Sequence, residues 1–108
     1  MALIIMSQAA LLDSGRLSDF LQKVDPEAAS RARKEIRGSI KRLARHPEAF
    51  PLLDEEIRIQ TIPFGKRGYS VAYTYFAESD EVLILGIKHQ SEEFFPFELQ
   101  EGEETDEF

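Results

Sequence analysis

The 108-residue chain is long enough for one domain and too short for two. Its 43% hydrophobic content suits one modest core, and the absence of cysteine excludes disulfides, thiolate metal sites and a cysteine nucleophile together. The net charge of −7 is lopsided: residues 92–108 hold eight of the 20 acids and no Lys or Arg, which leaves 12 acids against 13 bases in residues 1–91, a net of +1. Local patches therefore decide which partners the chain can meet, and a nucleic-acid or ribosome partner stays open.

In chain order, Leu3 to Met6 is a short apolar run read as a strand. The opening six residues are too short to span a membrane and lack the basic start of a signal peptide, so a cytoplasmic protein without membrane contact is expected. From Gln8 the pattern turns helical, with Ala10, Leu17, Phe20, Leu21 and Val24 on one face. Asp25-Pro26-Glu27 marks a second helix start: Asp25 caps, Pro26 fits the first helical position and Glu27 complements the dipole. This helix is predicted to run to Arg45 or His46, where Pro47 stops it. Ala29, Ala32, Ile36, Ile40, Leu43 and Ala44 form its buried stripe. Its other faces carry seven bases from Arg31 to Arg45, read as a solvated face or as a receiver for an acidic segment.

Residues 47–56 read as a loop ending in Asp54-Glu55-Glu56. Three strands follow: 57–62, then 69–76 after a turn at Lys66-Arg67-Gly68, then 82–90 after a turn at 77–81. Residues 1–91 thus make one domain of order β-α-α-β-β-β, an α+β fold with a helical hairpin on a mainly antiparallel sheet. Residues 92–108 make an acidic, flexible tail. Phe94, Phe95 and Phe97 are suited to anchor it on the body, with its glutamates shielding basic groups.

The strands carry Arg58, Lys66, Arg67, Tyr69, Lys88 and His89, a cluster suited to a phosphate backbone or an acidic protein surface. Each has a bland alternative. Arg58 can pair with Glu55 or Glu56. Tyr69, Tyr73 and Tyr75 share a strand face, with Tyr69 the more exposed. Period-two alternation puts His89 on the face of Leu83, Leu85 and Ile87, with Lys88 pointing the other way. His46 is a charge partner for a helix end. Two histidines 43 residues apart, with no His-Glu-x-x-His frame, supply no metal-ligand set, and no cofactor motif is present.

Several pieces in this order resemble the RelE/ParE superfamily of toxins, and its ParE-like, plasmid-stabilisation branch above all. They are Ser7-Gln8-Ala9-Ala10, Asp25-Pro26-Glu27-Ala28-Ala29, Leu43-Ala44-Arg45-His46-Pro47-Glu48, Ile57-Arg58, Ile62-Pro63-Phe64-Gly65, Gly68 to Tyr73 and Val82 to Gln90. The resemblance implies the toxin of a type II toxin–antitoxin module, neutralised by a cognate antitoxin and touching operator DNA only through it. It implies either of two activities. ParE-like members inhibit DNA gyrase by contact, for which Arg58, Lys66, Arg67, Tyr69, Lys88 and His89 are the target-binding candidates. RelE-like members cut messenger RNA on the ribosome without a metal, a role that Arg58, Arg67 and His89 would carry here. Two departures weigh against the nuclease: no tyrosine follows His89, and Gly86 stands where relatives often carry arginine. A decayed toxin that only binds antitoxin is a third reading.

Overall fold

A computed structural model describes residues 1–93, 95 and 96. The element order is β1 (Leu3–Met6), α1 (Gln8–Val24), α2 (Pro26–Arg42), β2 (Arg58–Phe64), β3 (Arg67–Phe76) and β4 (Glu81–His89), the α+β order that the sequence implies. The sheet order is β1-β4-β3-β2. β1 lies parallel to β4, and the two other pairings are antiparallel.

Local chemistry starts both helices. The Ser7 hydroxyl accepts from the Ala10 amide at 3.0 Å, and the Asp25 carboxylate accepts from Ala28 at 3.2 Å ahead of Pro26. α2 ends at Arg42, earlier than Pro47 alone suggests. Its last turn tightens: Leu43, Ala44 and Arg45 donate to carbonyls three residues back, and the Ala44 carbonyl is taken by the Ala2 amide at 2.8 Å. The helices cover one sheet face. Ala10, Ala32, Ile40 and Leu43 meet Val71, Tyr73, Val82, Ile84 and Ile87 in one buried cluster. The stripe expected on α1 is only half buried. Phe20 and Val24 are each 69% exposed, while Asp13, an acid, is buried within the stripe.

A bulge sets the phase of β4. Ala72 pairs with Gly86 and Tyr73 with Ile84, so Leu85 is the extra residue. Val82 and Ile84 before it share a face with Ile87 and His89 after it, opposite Tyr75, Tyr73, Val71 and Tyr69. His89 therefore faces the helices, on the side of Val82 and Ile84, and not on the face of Leu83 and Leu85 that uninterrupted alternation implies. Lys88 points away, as expected.

The β2–β3 connection is tighter than read from the sequence. Phe64 pairs with Arg67, leaving a two-residue turn of Gly65 and Lys66, and Arg67 opens β3. Gly65 has φ 62° while Lys66 does not turn positive, the pattern of a type II′ hairpin turn. Gly68 has φ 135°, and a side chain there would overlap the Ile62 carbonyl oxygen.

Candidate functional site

The register assembles most of the candidate residues and sets one apart. Tyr69 pairs with His89 and Ser70 with Lys88, and the Gln90 amide donates to the Gly68 carbonyl at 2.9 Å. The Lys66–Arg67 corner thus lies beside the end of β4, and both side chains are exposed. Arg58 lies at the far end of β2, opposite Tyr73, roughly 20 Å along the strand from Arg67 at about 3.4 Å per residue. There it is a staple. Its guanidinium donates to the Phe50 carbonyl at 2.7 Å and the Glu48 carbonyl at 3.3 Å, and it pairs with the Glu48 carboxylate at 3.6 Å. The Tyr73 hydroxyl fixes the same loop, donating to the Pro47 carbonyl at 2.8 Å. Glu48, and neither Glu55 nor Glu56, is the partner of Arg58. Asp54 instead accepts from the amides of Glu56 and Ile57, which hold its carboxyl below the usual aspartate range.

Tyr69 is only 5% exposed, more buried than its place beside a turn suggests, and burial raises its phenol pKa. Its ring meets the His89 ring edge-on at 5.4 Å and Phe64 at 6.1 Å. The Nδ1 of His89 accepts from the Ser91 amide at 3.1 Å and lies 2.6 Å from the Ser91 hydroxyl. With Nδ1 held as acceptor, the neutral ring carries its proton on Nε2.

A second group, Asp13, Arg16 and Glu92, lies along β4. β1 pairs with β4 only as far as Ile84, so among the described residues the next stretch of that edge lacks a strand neighbour. Side chains take its place. Asp13 accepts from the Ile87 amide at 2.9 Å, and Arg16 reaches the Ile87 carbonyl at 3.4 Å. Glu92 accepts from the His89 amide at 2.9 Å. Arg16 joins the two carboxylates, at 3.5 Å to Asp13 and 2.7 Å to Glu92. Ser7, directly after β1, holds the bulge on the same edge, its amide donating to the Ile84 carbonyl and its hydroxyl to the Leu85 carbonyl. Burial raises the Asp13 pKa, while the Ile87 amide and Arg16 pull it down. One signal was available: Asp13 sits three residues after Ala10 and four before Leu17, an acid in an apolar stripe with an arginine three residues on.

Lys88 donates to the Glu92 carbonyl at 3.1 Å and lies 5.5 Å over the ring of Phe95, which is 5% exposed. The start of the acidic segment is thus held at the end of β4 and on α1. Phe94 and Phe97, and the flexibility expected for the rest of the tail, lie outside the described residues. Among those residues no group of three or more His, Cys, Asp or Glu is placed to hold a metal, and no helix is long and apolar enough to cross a membrane.

The family model for the ParE toxin of the type II toxin–antitoxin system parDE matches residues 4–94. The chain belongs to the ParE toxin family. The match runs from β1 past the Glu92 contact, so the side-chain cover of the β4 edge falls inside the ParE region. A cognate antitoxin is the partner that this family membership implies. A search of curated proteins found no match.

Proposed function

We propose that this ParE-family toxin inhibits DNA gyrase by protein–protein contact in the cytoplasm and is neutralised by its cognate antitoxin. The observation that carries the proposal is the separation of the basic residues. Lys66, Arg67, Lys88 and His89 gather at one end of the sheet, while Arg58 is committed to Glu48 and two carbonyls at the other. A nuclease built on Arg58, Arg67 and His89 needs all three around one phosphate. A contact surface needs only exposed charge at one end, which Lys66 and Arg67 supply. Tyr69 supports this corner from inside.

The test pairs two assays on purified toxin freed of antitoxin: DNA supercoiling by gyrase, and message cleavage on translating ribosomes. Blocked supercoiling with intact message is expected; cleavage with untouched gyrase overturns the proposal. Arg67→Ala should relieve growth inhibition and leave antitoxin binding within about twofold, because surface substitutions of this kind shift stability by no more than about 0.5 kcal/mol. Loss of both properties together would indicate misfolding instead.

A further inference from the structure

We propose that the cleft between α1 and the end of β4 is a docking pocket for an acidic, apolar segment of the antitoxin, and that Glu92 occupies it as an internal stand-in until that segment displaces it. This rests on the antitoxin-binding part of the proposed function and is independent of the gyrase reading.

The cleft has a volume of about 400 Å³. Leu17, Leu21, Phe20 and Phe64 make its apolar wall, and Arg16 and His89 stand at its polar end. Through Leu17, Leu21 and Tyr69 it continues into a second groove of about 450 Å³ between the helices and the sheet, rimmed by Arg33, Arg37 and Lys41. Among the described residues Glu92 is the only acid that lines either groove, and it comes from the segment after β4. An apolar channel with cationic edges calls for an apolar occupant that carries carboxylates.

Glu92 shows how a carboxylate sits there, with one oxygen on Arg16 and the other on the His89 amide. Arg16 does not depend on Glu92 for its aim. Its second nitrogen is tied to buried Asp13 and to the Ile87 carbonyl, so the guanidinium stays presented when Glu92 leaves. Displacement is easy, because the Arg16 and Glu92 side chains are 41% and 31% exposed and such ion pairs are weak. Phe20, 69% exposed on the wall, offers apolar area that no described residue covers.

The test measures affinity of the full-length toxin for purified cognate antitoxin. Glu92→Gln should tighten binding about fivefold, since an internal competitor for Arg16 is lost. Arg16→Gln should weaken it about tenfold, and the double variant should match Arg16→Gln alone. Because Arg16 also supports Asp13, Phe20→Ala serves as an exposed control that does not threaten folding; about fivefold weakening is expected. Unchanged affinity in both Glu92→Gln and Phe20→Ala, beside tight wild-type binding, overturns the pocket alone. A wild-type chain that binds no antitoxin overturns the pocket together with the antitoxin reading. Glu92→Gln that instead promotes self-association in light scattering, or gains affinity for duplex DNA alone, overturns the assignment of the occupant.

Discussion

Burial raises the pKa of the Asp13 carboxyl above the ordinary 3.8, and the Ile87 amide and Arg16 offset this only in part. The folded chain therefore holds this proton more tightly than the unfolded chain does. The Asp13 contribution to stability is most favourable below pH 3.8 and declines as pH rises through the raised native value. Asp13→Asn keeps an acceptor for the Ile87 amide and removes the titration. Its stability relative to wild type should climb across that pH window and level off above it, as read from urea unfolding at a series of pH values. Asp13→Ala removes the acceptor and leaves a buried amide unpaired, a loss of about 1–3 kcal/mol at neutral pH. Equal stability of the alanine variant and wild type would end the view that Asp13 caps the β4 edge. Asp13 and Arg16 escaped the sequence reading because their role depends on where β1 stops beside β4. That is a tertiary fact, and no spacing along the chain encodes it. Lys66, Arg67, Lys88 and His89 were legible as neighbours because strand order and hairpin register alone bring them together.

The β2–β3 hairpin makes a demand that can be tested at Gly68. Its φ of 135° and the closeness of the Ile62 carbonyl both exclude a side chain. Gly68→Ala should destabilise the chain by at least about 2–3 kcal/mol, through backbone strain and a forced shift of β2. The same change at Gly65, which has open space around it, should cost less, about 1 kcal/mol for its φ of 62°. Thermal unfolding of the two variants separates them, and equal losses would show that strain at the turn outweighs the clash. The elements themselves were readable because each signal was local: the Asp25-Pro26-Glu27 start, the stripe of α2 and the glycines at the hairpin. What failed was phase. One extra residue at Leu85 moves His89 from the open face to the face beneath α1, and period-two counting cannot see an insertion. Phe20 and Val24 fit the helical period of a core stripe, yet α1 packs mainly on β4 and α2, so both residues, on its outer flank, are left exposed among the described residues.

Over the whole molecule, charge is divided between a body of net +1 and a terminal segment that is wholly acidic. Residues 97–108 alone carry six acids and no base, so a chain ending at Pro96 drops from −7 to −1. Glu92 and Phe95 stay in such a chain, together with their contacts to Arg16 and Lys88. The truncation therefore isolates the long-range field of the segment from the Glu92 contact. A partner that approaches the cationic rim with carboxylates of its own is repelled by the full chain and much less by the shortened one. At about 10–20 mM salt, where charges act over tens of ångströms, the shortened chain should associate with antitoxin several-fold faster. At about 0.5 M salt the two rates should converge, because screening then shortens the reach of charge to a few ångströms. Dissociation should not change at either salt, since no side chain of the Arg16 pocket is removed. Stopped-flow association and surface-based dissociation measurements distinguish the cases. A changed dissociation rate with an unchanged association rate would mean that residues 97–108 touch the complex directly, and the field argument would fail.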